Sequence, residues 1–239
     1  MNTKLRLTSI MNNWAPEDTA EQWDNVGLQL DVNQDINRCA IALEINMDTW
    51  ESIKSQDYQM VITHHPLIFD PVRSLSYGRW TDEVIMHMVA NDMGLYVAHT
   101  NLDKAIGGVN DRLVQQYRLR IAEEKPIRDD FGKIVYLSRS IDIMDLQDSV
   151  PVMNQYVPDE LDIKTVAFCA GSGKSFVRDV IEQNVNCYVT GELGYHDIQL
   201  LRQQGIAVLL LGHYESELFV LEAIEARLRS LRVVVDIIQ

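Results

Sequence analysis

Cysteine is scarce in this chain of 239 residues, and the three present, Cys39, Cys169 and Cys187, each lie inside an apolar run. An odd count without paired spacing gives no disulfide framework, and thiols so placed pack as small hydrophobes in a reducing compartment. Long hydrophobic runs are also missing. The longest, Ile206 to Leu211, is far below the roughly 20 residues of a membrane span, and the N-terminal MNTKLRLTSIMNNW lacks the apolar stretch of a signal peptide, so a cytoplasmic location is expected. Basic charge is in short supply: 21 Lys and Arg stand against 35 Asp and Glu, a net charge of −14. That field repels phosphate backbones and anionic membrane surfaces, making nucleic acid an unfavourable partner unless the charge is locally inverted. Two catalytic signatures are incomplete. AGSGKS (170–175) resembles a phosphate-binding loop, but the glycine needed five positions before Gly173 falls on Phe168. A tight strand-to-helix turn is expected there instead, and no G-x-S-x-G context surrounds Ser172 or Ser175 for a nucleophilic serine.

What is present is a strand-helix rhythm. Strands are expected at 40–45, 59–63, 95–98, 133–137, 165–169, 187–190, 206–211 and 233–237. Helices are expected from the Asn46 cap to about Ser55, and at 82–93, 110–117, 144–156, 175–184, 197–204 and 215–228. The uninterrupted aliphatic run 206–211 reads as a strand buried on both faces at a sheet centre. The fold expected is α/β: two related lobes with mixed sheets, approximately 1–125 and 126–239, with the polar, turn-rich stretch 126–132 as the boundary.

The polar residues collect at one kind of place. His64 and His65 follow the strand ending at Thr63, His99 follows Ala98, and His213 follows Leu211, all at strand carboxyl ends, the edge where α/β sheets bind ligands. Carboxylates join them: Asp103 four residues after His99, Glu192 after the 187–190 strand, Glu217 four residues after His213. Spacing of four at a helix start places His213 and Glu217 on one face, where imidazole and carboxylate together suit zinc, manganese or iron. The set His64, His65, Asp103, His213 and Glu217 exceeds one small open site and suits two ions. His64 and His65 would point to opposite faces of a regular strand, so they must leave strand geometry to converge, and Pro66 assists by barring a helical His65. The competing reading, histidines that merely cap or hydrogen bond, has equal weight on spacing alone. His87, in mid-helix, reads as a packed structural histidine.

The segments WDNVGL (23–28), VITHHPLIF (61–69), AHTNLD (98–103), GGVND (107–111), AGSG (170–173), TGELGYH (190–196) and GHYESE (212–217), in this order, resemble the NGG-interacting-factor-three-like family. Bacterial members of it carry the description GTP cyclohydrolase 1 type 2. The resemblance spans Trp23 to Glu217 and implies that His64, His65, Asp103, His213 and Glu217 ligate two divalent ions, of zinc, iron, manganese or nickel, between the lobes. It further implies a homohexamer, a single family-type domain over 1–239 without the inserted central domain of longer relatives, and a small-molecule substrate of nucleotide type. The activity implied is hydrolytic opening of the GTP imidazole ring with release of formate, for which His99, His196 or Glu192 would transfer protons or else orient the ligating histidines. A phosphoesterase or another two-metal hydrolase would use the same ligands, and a metal-binding scaffold without turnover is the alternative of a different class. Where relatives read Leu-Asp after the first core strand, this chain has Leu43-Glu44, a departure that leaves the role of that carboxylate open and falls on none of the ligand positions.

Overall fold

The aliphatic runs build two mixed sheets, one in each of two units of a computed structural model that describes residues 3–158 and 161–239. The first unit takes residues 3–102 and 221–239, the second the described residues of 103–220. In chain order the elements are α1 (Thr3–Trp14), β1 (Gly27–Leu30), β2 (Arg38–Ala42), α2 (Met47–Lys54), β3 (Met60–Thr63), α3 (Trp80–Ala90), β4 (Gly94–Val97) and α4 (Thr100–Lys104). They continue with α5 (Val109–Gln116), β5 (Ile121–Ile127), β6 (Gly132–Ile141), α6 (Ile143–Gln147), β7 (Asn154–Tyr156), β8 (Ile163–Ser172), α7 (Val177–Glu182), β9 (Cys187–Glu192), α8 (Tyr195–Gln203), β10 (Ala207–Leu210) and α9 (His213–Glu217). The chain then returns to the first unit with α10 (Val220–Leu228) and β11 (Val234–Ile237).

The first sheet has the order β1-β4-β3-β2-β11, parallel except for β1 on β4. Every residue of β3 and β4 is buried, the mark of strands covered on both faces rather than alternating with solvent. Ala40, Trp50, Ile53, Val61, Val84, Met88 and Leu95 pack into one core cluster, so α2 and α3 supply part of that cover. The start of α2 is fixed locally: Asn46 Oδ1 accepts the Asp48 and Thr49 N–H groups, and Thr49 Oγ1 accepts the Asn46 N–H.

The second sheet has the order β5-β6-β8-β9-β10-β7, with β8, β9 and β10 parallel. Period-two alternation divides its side chains between two clusters: Val166, Phe168, Cys187, Val189 and Leu209 on one side, Ala167, Cys169, Tyr188 and Val208 on the other. β10 lies next to the sheet margin, paired outward with the three-residue β7, so the aliphatic run marks burial on both faces and not the sheet centre. The helix expected over 144–156 ends at Gln147, because Pro151 has no N–H to donate and restricts the residue before it, and the chain then pairs as β7. The helix expected over 215–228 is two helices. Ser216 Oγ donates back to the His213 carbonyl at 2.8 Å, a side-chain bond that competes with helical regularity. The polar stretch 126–132 closes the β5–β6 hairpin inside the second unit, with Asp129 and Asp130 both at positive φ, 49° and 66°. Among the described residues no helix is long and apolar enough to cross a membrane.

Candidate metal centre

In the first unit β3 delivers the adjacent histidines. The strand ends at Thr63, whose Oγ1 donates to the His65 carbonyl at 2.8 Å, while the His65 N–H reaches the Leu43 carbonyl at 2.7 Å. The turn so fixed brings both rings to one side, with centroids 5.0 Å apart. His99, just past β4, joins them at 5.2 Å from His64 and 5.7 Å from His65. One ring nitrogen from each of the three lies within 4.8 Å of the others.

What holds each ring decides which nitrogen it presents. His64, fully buried, has Nδ1 2.8 Å from the Ala98 carbonyl. A carbonyl only accepts, so Nδ1 carries the proton and Nε2 keeps the lone pair a metal needs. His65 Nδ1 faces Glu44 Oε2 at 3.3 Å and His99 Nδ1 faces Asp24 Oδ1 at 2.9 Å. The side chain at position 44, whose role the sequence left open, therefore reaches a ligand candidate. Asp24, whose side chain is fully shielded, also accepts the Thr100 N–H at 3.0 Å and its hydroxyl at 2.5 Å. Burial pushes its carboxyl up, but the bonds from His99 and Thr100 outweigh that and hold it down at about 2.

In the second unit the groups come from β9 and α9. Gly212, at φ 99°, turns the chain from β10 into α9, a backbone conformation that side chains rarely adopt. His213 and Glu217 then stand one turn apart, Nε2 to Oε1 3.5 Å, with Glu217 only 4% exposed. Glu192, at the end of β9, places Oε1 3.1 Å from His213 Nδ1, so this ring too is held through Nδ1. Close backbone approach is required. A side chain at Gly171 (φ 61°) would overlap the Glu217 carboxylate and crowd His213 Nε2, and one at Gly191 would strike the Gly171 carbonyl. Ser216 Oγ, 2.8 Å from the Gly171 N–H, ties α9 to β8.

Asp103 lies in α4, its carbonyl accepting from Asn110 Nδ2 at 3.2 Å. Burial, with the charges of Asp103 and Glu217 behind it, pushes the Cys169 thiol far up. His196 is exposed on α8 with its ring edge-on to Tyr195, 5.4 Å between centroids. His87 is exposed on α3 rather than packed inside, its ring edge-on to Trp50 at 5.2 Å. All three cysteines are buried thiols, so the donor set is imidazole nitrogen and carboxylate oxygen. That chemistry fits divalent zinc, manganese, iron or nickel, and the clusters are compatible with a pair of ions. Two groups went unassigned in the sequence, Asp24 and Glu44. Asp24 stands in WDNVGL, quoted above without a role.

A Clostridium perfringens protein described as a GTP cyclohydrolase 1 type 2 homolog is 28% identical over 236 residues, covering 94% of this chain and 90% of the relative. A Helicobacter pylori GTP cyclohydrolase 1 type 2 is 26% identical over 220 residues, covering 88% and 85%. Among solved structures, reduced HcgD from Methanocaldococcus jannaschii superposes with a TM-score of 0.86 at 28% identity, covering 100% of this chain and 98% of that one. The signature of Duf34/NIF3 (NGG1p interacting factor 3) matches residues 2–239, and the chain belongs to that family.

Proposed function

We propose that this chain is a dinuclear-metal hydrolase in which His64, His65, Asp103, His213 and Glu217 hold two divalent ions, acting on a nucleotide, with GTP the candidate. The observation that carries this reading is shared by the three histidines of the set. Each has Nδ1 against a carbonyl or a carboxylate, which leaves Nε2 as the donating nitrogen of a ring fixed in orientation. Histidines that only cap backbone would have no reason to share that orientation. The description of the relatives as GTP cyclohydrolase 1 type 2 supports the substrate.

Ions at this site supply Lewis acidity, the means of activating water near neutral pH. The protein's own groups do the rest. Glu44 and Glu192 hold the rings of His65 and His213 in register. His99 stands outside the ligand set yet beside it, its ring held through Nδ1 by the ionised Asp24, so we assign to His99 the proton transfer during ring opening. His196 is less suited, being exposed beside Tyr195, and Glu192 is engaged with His213. Formate release from GTP by reconstituted protein tests the activity. We expect turnover that is lost on chelation and in His65→Ala and Glu217→Ala, whereas loaded protein that releases no formate would remove GTP as the substrate.

A second reading has one observation in its favour: the family description itself names an interacting factor. In that reading the ions stabilise a scaffold, expected as a homohexamer, and no substrate turns over. Chelation would then change the sedimentation coefficient without abolishing any activity.

A further inference from the structure

Apart from the histidine clusters, the second unit carries a cavity of about 230 Å³ beside the β5–β6 hairpin, and three arginines line it: Arg118, Arg120 and Arg139. Their presence together is unexpected. Acidic residues outnumber basic ones by 35 to 21, and neighbouring cations in this unit are paired: Lys125 with Glu123, Arg128 with Asp179, Lys133 with Asp111. Among the described residues, the side chains of Arg118, Arg120 and Arg139 have no hydrogen bond, ion pair or ring contact. Three arginines against one carboxylate, Asp145, leave an excess of positive charge around the cavity that a bound anion offsets.

The cavity is built, not an accident of loose side chains. Ser138 N–H and Oγ both bond to the Arg120 carbonyl at 2.9 Å, which fixes the backbone of Arg120 across from Ser138. Leu119, Leu137 and Ile141, which form its apolar wall, pack against the core cluster of Val135, Val166 and Phe168. Arg118 sits at φ 48° in the turn from α5 to β5, a conformation non-glycine residues rarely adopt.

We propose that this cavity binds the phosphate group of a small phosphate monoester. A guanidinium grips phosphate through two parallel N–H bonds, and three such forks match the three terminal oxygens of a monoester, whereas a carboxylate offers only two. The volume, below the roughly 300–1,000 Å³ of pockets for drug-sized ligands, admits the phosphate with a short organic body. The leucine and isoleucine wall favours that body over inorganic phosphate. Asp145, at the same cavity, disfavours an extended polyanion. The site shares no residue with the metal-ligand set, and its local charge is opposite in sign to that of the whole chain.

Calorimetric titration tests this. The 239-residue chain, kept in EDTA so that the histidine clusters hold no metal, is titrated with glycerol 3-phosphate and separately with inorganic phosphate. The expected result is saturable binding of one ester per chain, tighter than inorganic phosphate, and weakened about tenfold or more in Arg120→Gln and in Arg139→Gln, from the loss of a charge-assisted bond. Lys174→Gln, an unpaired cation elsewhere in this unit, and Glu217→Gln are expected to bind as the parent does. Melting temperatures of the variants, expected within a few degrees of the parent, show that they fold. Absence of saturable binding, or an equal loss in Lys174→Gln, would overturn the proposal, and inorganic phosphate binding as tightly as the ester would overturn its assignment to a monoester.

Discussion

The side chains that set the chemistry are oriented by partners one step removed. Asp24 is the clearest case, because it holds His99 through one oxygen and the start of α4 through the other. Its folded-state value of about 2 lies below the usual 3.8, so its contribution to stability is fully present above about 3.8 and is lost as pH falls through about 2. Asp24→Asn is expected to flatten that acid limb in urea denaturation measured from pH 2 to 5 and to cost on the order of 2 kcal/mol at neutral pH. Glu192→Gln removes the charge behind His213 while keeping the shape. Competition with a chelating dye should show metal affinity falling about 10- to 100-fold, and unchanged affinity would mean that Glu192 does not tune the ligand. Sequence disclosed the four histidines because each lies just past a readable strand. It did not disclose Asp24, which lies in a loop before β1 where no periodicity signals a partner 75 residues away. The role of Glu44 stayed open because reach depends on side-chain length and direction, which spacing does not carry.

At the scale of elements, the second cluster depends on how closely β8, β9 and α9 approach. Gly171→Ala places a methyl where the Glu217 carboxylate lies and does so at a positive φ. A loss of about 1–3 kcal/mol in urea denaturation is expected, together with weakened metal binding, because the ligand must move to admit the methyl. By contrast Asp142→Ala removes only the α6 cap, whose side chain accepts the Met144 N–H. It should cost about 1 kcal/mol and leave metal affinity unchanged, a pairing that separates structural from site effects. The elements that hydrophobic pattern revealed are those covered on both faces, such as β3, β4 and β9. β5 escaped notice because its residues from Ile121 to Pro126 are all exposed, so neither face carries a pattern. The turn at 126–132 shared the polar composition of an interdomain link, and only pairing distinguishes a hairpin from a boundary.

For the whole molecule, acidity and metal binding belong together: a chain of net charge −14 attracts cations, and carboxylates as buried as Glu217 are costly without a positive charge nearby. Ions that bind the folded chain and not the unfolded one add stability by mass action, so chelation should lower the melting temperature by several degrees, restored on adding back zinc or manganese. The α/β class was legible from the alternation of strands and helices. The return of the C-terminal segment, α10 and β11, to the first unit was not, because β11 completes its sheet beside β2, nearly 200 residues earlier, and no local signal records that pairing.

The central claim is tested most directly by elemental analysis of protein purified without added chelator, beside His65→Ala and Glu217→Ala prepared identically. About two divalent ions per chain, reduced in both variants while each remains folded by circular dichroism, is the predicted result. Metal-free parent protein that stays metal-free after incubation with zinc, iron, manganese and nickel would contradict it.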